Sequence, residues 1–226
     1  MLKRLDSIPI RATVEAAIKK MKIEEPEDIE LVSALFEEAK AIAKPKVLYR
    51  EAYVEEISGS RVVIDGTEFE SEVVAKNLEG VHRVFAYVCT CGTEVDDWSH
   101  KESDYVVSLW LDMIKEMFLH DAGTYFVDYL KKALQAETLS SVNPGSGDVE
   151  NWPIAQQVQL FSMIGDVRGQ IGVTLSDSFL MTPIKSTSGL YYQSNTQFVN
   201  CALCRREKCV GRRAAFDEAL YAATFG

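Results

Sequence analysis

Three cysteines near the C-terminal end, Cys201, Cys204 and Cys209, are spaced C-x2-C-x4-C in the run CALCRREKC. A two-residue spacer lets a loop aim two sulfurs at one metal ion, and a third soft ligand four residues on closes another side. The array is one ligand short of a closed zinc site, and Cys89, Cys91 or an exogenous group would complete it. An iron–sulfur cluster with one unusual ligand fits the spacing equally. Thiol redox work and an unmetallated structural role are the alternatives. Arg205, Arg206, Lys208, Arg212 and Arg213 lie in or just after the array, where their charge favours thiolates and suits something anionic.

A second run with chemical content is 175–192, LSDSFLMTPIKSTSGLYY. Lys185, Ser186, Thr187, Ser188 and Gly189 interrupt an apolar segment just after Pro183. Small hydroxyl residues and glycine let a backbone approach a ligand closely while offering hydrogen bonds. The plain alternative is a polar hairpin between two strands. A third candidate is the loop Asn143-Pro144-Gly145-Ser146-Gly147 within 138–152. The sequence holds no nucleophile elbow, no phosphate-binding glycine loop and no metalloprotease pair. His82, His100 and His120 have no neighbours at ligand spacing.

The elements that must position these residues follow from periodicity. Residues 11–43 form two helices, the second opened by Pro26 and ended by Pro45. Residues 46–69 alternate as strands around the turns Ser58-Gly59-Ser60 and Asp65-Gly66. A short helix is predicted over 71–78. A buried strand over 81–90 puts Phe85, Tyr87, Cys89 and Cys91 on one face, with neighbouring same-face positions about 6.5–7 Å apart. That spacing disfavours a mutual disulfide and leaves two readings, core cysteines or contacts to a third group.

Residues 104–134 carry the longest helical signal, with Trp110, Ile114, Met117, Asp121, Tyr125 and Asp128 in one stripe. Asp121 there is either paired internally or facing a polar cleft. After the loop, Pro153 opens a helix burying Ile154, Val158, Phe161 and Ile164. Strands are predicted around 172–181 and 190–199, and a closing helix over 214–223.

A chain of 226 residues, 47% hydrophobic and 26% charged, can bury a substantial core without disulfides. The net charge of −10 argues against nucleic-acid binding. No run is long enough to cross a membrane, and the start lacks a signal-peptide core, so a cytoplasmic location is expected. Five cysteines without an export signal imply free thiols or metal ligands.

The run 175–192 resembles the "L-T-x-S-x-x-M-x-P-x-x-S-x-S-G" segment of the activation (reactivation) domain of vitamin B12-dependent methionine synthase, in a short standalone version. Asn143-Pro144-Gly145 occupies the place of that family's "R-x-x-P-G-Y" loop. The resemblance covers about residues 45–195. It implies an α+β fold, a twisted antiparallel sheet with flanking helices, binding S-adenosylmethionine in a shallow cleft. The domain would dock on a cobalamin-carrying methyltransferase module, so that an oxidised corrinoid is reduced by one electron from a donor protein and remethylated from S-adenosylmethionine. Asn143, Pro144 and Gly145 would shape the cofactor loop. Lys185, Ser186, Ser188, Gly189 and Tyr191 would lie on the other side.

Two departures stand out: Ser141 where the family has the arginine, and Ser146 where it has the tyrosine. The cysteine array lies outside the family pattern. It adds the expectation of a relay cluster or structural metal, or of an electron-transfer or interaction protein that keeps the fold without the cofactor. The implied layout is an N-terminal helical segment (1–45), the α+β core (46–199), and a cysteine cluster with closing helix (200–226).

Overall fold

The computed structural model describes residues 1–146, 151–194, 198, 200–209 and 212–225. Strand β1 (Leu2–Leu5) leads to helices α1 (Val14–Met21) and α2 (Pro26–Ile42). Thr13 caps α1 by accepting from the Ala16 N–H, and Pro26 stands in the first turn of α2, where its missing N–H costs nothing. Strands β2 (Lys46–Ser58), β3 (Arg61–Ile64) and β4 (Thr67–Glu70) form the expected meander. Helix α3 (Glu72–Leu78), capped by Ser71, precedes β5 (Arg83–Thr90). Helices α4 (Thr93–Ser99) and α5 (Tyr105–Leu134) follow, then β6 (Leu139–Val142), α6 (Gln157–Ile164) and α7 (Val167–Ile171). Strands β7 (Thr174–Leu175), β8 (Met181–Thr182) and β9 (Ser186–Gln193) and helix α8 (Glu218–Phe225) complete the order.

One antiparallel sheet, β4-β3-β2-β5-β9-β6 with β1 on β2, organises the chain. Alternation sends Leu48, Ala52, Val84, Ala86, Val88, Leu190 and Tyr192 to one face, into a core with α3, α6 and α7. It sends Val47, Tyr49, Phe85, Tyr87 and Cys89 to the other, against Ala122, Phe126 and Leu130 of α5. The first half of α5 packs with α1, α2 and α4 around Phe36, Leu111, Ile114 and Phe118. No helix of the described residues is long and apolar enough to cross a membrane.

Several expectations change. The stripe on α5 is displaced: the buried positions are Leu111, Ile114, Lys115, Phe118, Ala122, Phe126 and Leu130, so only Ile114 of the expected set is buried. The helix is apolar on several sides and packs against two different cores, so no single stripe marks its inner face. Asp121 is paired internally: its Oδ2 accepts from the N–H groups of Arg11 and Ala12, at 2.7 Å each. The α6 face is also rotated, with Gln157, Leu160, Met163 and Ile164 buried and Val158 exposed. Residues 139–142 form a strand inside the expected loop, and 2–5 one inside the expected helical segment. The hydroxyl-rich run is no hairpin: Ser186–Gly189 begins strand β9, paired with Tyr87–Thr90 of β5.

Candidate functional site

Strand β6 is shorter than its neighbour, and that difference makes the site. Its four residues pair with Leu190–Gln193 of β9, then the chain turns away at Asn143. Among the described residues the outer edge of Ser186–Gly189 has no strand neighbour, and a cavity of about 720 Å³ opens there. Helix α5 supplies one wall, with Glu116, His120, Thr124 and the apolar Leu119 and Val127. The turn Asn143-Pro144-Gly145-Ser146 supplies another. Tyr87, Ser186, Thr187, Ser188 and Tyr191 come from the sheet, with Leu180, Met181 and Ile184 beside them, and Arg213 from the C-terminal segment.

Asn143 takes over where the missing strand would have been. Its Nδ2 donates to the Ser188 carbonyl at 2.7 Å and to the Tyr87 hydroxyl at 2.8 Å. The Ser188 carbonyl can only accept, so that bond requires the amide nitrogen and fixes the orientation of the group. Its Oδ1 is buried and has no hydrogen-bond partner among the described residues. A buried acceptor left unmatched costs about 1–3 kcal/mol, so a bound N–H donor would be favoured at this spot.

Two glycines permit this geometry. A Cβ on Gly189 would lie 2.4 Å from both Asn143 Nδ2 and the Val142 carbonyl oxygen, so only glycine lets Asn143 come so close. Gly145 adopts φ +69°, and its N–H donates to the Trp152 carbonyl at 2.8 Å. Behind Ser188, its Oγ donates to Gln157 Oε1 at 2.7 Å, fixing α6 against β9.

The aromatic floor is equally ordered. Tyr87 and Tyr191 stack at 4.7 Å between ring centroids, and Phe126 meets Tyr191 edge-on at 5.7 Å. Burial raises both tyrosine hydroxyls above the ordinary phenol value, Tyr87 well above it, while the hydrogen bond with Tyr87 and the Arg213 charge pull Tyr191 the other way.

The sequence-derived candidates therefore separate. Asn143, Pro144, Gly145, Ser186, Ser188 and Tyr191 line the cavity, and Gly189 packs behind Asn143. Lys185 does not line it: its Nζ pairs with Asp112 at 3.2 Å, fastening β9 to α5. Among the described residues no three His, Cys, Asp or Glu side chains are placed to hold a metal ion, and Cys201, Cys204 and Cys209 form no such group. Cys89 and Cys91 are buried core cysteines, the Cys91 thiol pushed up to about 12 chiefly by burial.

The cysteine segment nevertheless belongs to the site. Asn200 donates from Nδ2 to the carbonyls of Asn143 at 3.3 Å and Ser146 at 3.2 Å, tying the segment to the cavity turn. The Arg213 N–H donates to Cys201 Sγ at 3.5 Å. Burial raises the Cys201 thiol, but hydrogen bonds from the Arg213 N–H and side chain outweigh it, and the thiol ends below its ordinary value.

Sequence reading assigned Arg213 to the basic cluster around the cysteines and not to this cavity, and it missed Gln157 and the α5 wall as lining. Glu116, His120 and Thr124 recur every four residues, a helical-face signal that was present but sat beside the stripe chosen for its apolar residues. Arg213 carried no such signal, because only folding returns the C-terminal segment to the Asn143 turn.

Fold and cleft together define a class: an α+β domain with a curled antiparallel sheet, flanking helices and a cavity at the open edge of one strand. Among solved structures the chain has the fold of the MetH reactivation domain, whose crystal structure was determined bound to AdoHcy. The match has a TM-score of 0.60 at 14% identity, covering 88% of this chain and 80% of that one. No family model matches the sequence. No curated protein matches it either.

Proposed function

We propose that this chain is a reactivation module for a cobalamin-dependent methyltransferase, holding S-adenosylmethionine in the cavity between α5 and β9 while a corrinoid-carrying partner docks over the mouth. The observation that carries the reading is convergence. Asn143-Pro144-Gly145 and the Ser186–Tyr191 strand, about 40 residues apart in sequence, meet at one cavity in a fold shared with a domain solved with AdoHcy.

The residues present suit such a ligand. A volume of about 720 Å³ lies within the usual range for small-molecule pockets, and the lining is mostly apolar with a few convergent polar groups. The unmatched Asn143 Oδ1 asks for an N–H donor, which an adenine amino group or an α-amino group provides. S-adenosylmethionine would supply the methyl group, and the reduced corrinoid of the partner the nucleophile.

The work of this chain is to bind, orient and exclude water, which lowers the barrier by fixing the reactants in place. No side chain is cast as acid, base or nucleophile. Leu180 and Ile184, 56% and 71% exposed on the cavity lining, offer the partner an apolar rim. The electron donor would act on the partner's corrinoid.

Calorimetric titration of the purified chain with S-adenosylmethionine tests the reading. Saturable binding is expected, weakened about tenfold by Tyr191→Ala through loss of buried aromatic contact. Absence of saturable binding would remove the cofactor role.

A further inference from the structure

The cavity lining carries two side chains with full charge at neutral pH, and they differ in what they already hold. Glu116 is paired with Lys20 at 3.2 Å. Arg213 is paired with no carboxylate among the described residues, although it is exposed beside the stacked tyrosines. Its neighbours in sequence behave otherwise. The Arg212 guanidinium donates to the carbonyls of Cys201 at 3.2 Å, Cys204 at 3.1 Å and Ala214 at 3.0 Å, and also to that of Arg206. Arg205 lies over the Tyr221 ring at 3.9 Å, on the closing helix α8. Arg205 and Arg212 thus hold the cysteine segment together, whereas Arg213, whose side chain also hydrogen-bonds the Cys201 thiol, lines the cavity.

We infer that Arg213 is the ligand's anion-binding residue: the C-terminal cysteine segment is a mount that brings its guanidinium to the cavity, where it grips the carboxylate of an amino-acid-bearing nucleoside. The inference rests on the S-adenosyl reading above and names which part of the ligand the segment recognises. A guanidinium presents a planar fork that matches a carboxylate with two parallel charge-assisted hydrogen bonds.

Three contacts aim it. Asn200 fastens the segment to the cavity turn through Asn143 and Ser146, Arg212 ties the loop's carbonyls together, and Cys201 Sγ accepts the Arg213 N–H. Ser141, standing where the resembling family has its arginine, is 5% exposed inside β6 and opposite Tyr191. The charge enters from a different segment of the chain.

The test is calorimetry with two probes, S-adenosylhomocysteine and 5′-methylthioadenosine, which lacks the amino-acid end. It is run on the full chain as wild type, Arg213→Ala, Arg213→Lys and, as a control outside the cavity lining, Lys208→Ala. Arg213→Ala is expected to weaken S-adenosylhomocysteine about ten- to a hundredfold while 5′-methylthioadenosine changes less than about twofold. Arg213→Lys should recover part of the loss, because it restores charge but not the fork, and Lys208→Ala should change neither probe. If Arg213→Ala alters neither probe, or weakens both equally, the inference is overturned and the S-adenosyl reading stands. If the wild type binds neither probe, the reading falls and takes the inference with it.

Discussion

The two sides of the cavity are built by opposite means. The sheet side is held by register: β5, β9 and β6 are hydrogen-bonded neighbours, and Asn143 extends that ladder with one side chain. The C-terminal side has no strand among its described residues; Arg212 holds a short segment by its carbonyls, Asn200 ties it to the carbonyls of the cavity turn, and Arg205 lies over the Tyr221 ring. A framework made by backbone pairing fixes shape, whereas a segment made by side-chain clamps is where a fold can add or exchange a charge without disturbing its core. The cysteine spacing that suggested a metal site marks the second kind of wall.

The strongest way to break the comparison is at the framework. Lys115 on α5 is buried with its Nζ at 2.9 Å from both Asp96 Oδ1 and Ser99 Oγ. Burial lowers its pKa, but its hydrogen bonds to the Asp96 and Asp112 carboxylates and their charge outweigh this, and the ammonium is held above its ordinary value. Lys115→Met leaves Asp96 buried without its counter-charge and should cost about 3–5 kcal/mol in urea denaturation. A loss below about 1 kcal/mol would show that the pair carries little of the framework.

Next in size is Gly189→Ala. The added methyl collides with Asn143 and the Val142 carbonyl, so a stability loss of about 1–3 kcal/mol is expected. Ligand affinity should fall with it, because Asn143 must move. Unchanged affinity with reduced stability would separate Asn143 from the binding site.

The smallest effect sharpens the contrast by chemistry. In native buffer near pH 8, iodoacetamide should modify Cys201, whose thiol is lowered, and spare Cys89 and Cys91, whose thiols burial raises. Linkage gives the sign. A thiol with a folded pKa above its unfolded value contributes stability that is full below about 8.5 and is lost as the pH rises toward the folded value, about 12 for Cys91. The buried Tyr87 and Tyr191 act in the same direction from about pH 10 upward. The urea midpoint should therefore stay level from about pH 6 to 8 and fall above about 9; a midpoint that rises there would contradict the burial.

Much of the sheet framework was legible because its signals are local. Pro26, Pro45, Asp65-Gly66 and the alternation of Phe85, Tyr87 and Cys89 each act within a few residues. The Asn143 turn and the Ser186–Tyr191 strand were legible through resemblance, which also carried the shared cavity. What escaped depends on contacts between distant parts of the chain. Lys185 reads as a ligand residue until Asp112, 73 positions earlier, is seen to take its charge. Which face α5 turns inward is decided by two cores packing on one helix, and no periodicity within 105–134 records that. Arg213 and Arg212 are indistinguishable in sequence, yet one is consumed by carbonyls and the other is not.

The most direct test is a crystal structure of the full chain grown with S-adenosylhomocysteine. The account predicts the ligand between α5 and the Asn143-Pro144-Gly145 turn, with an N–H group on Asn143 Oδ1 and its carboxylate on Arg213. A ligand bound at another surface, or one seated in the cavity with its carboxylate held by other residues while Arg213 faces solvent, would contradict it.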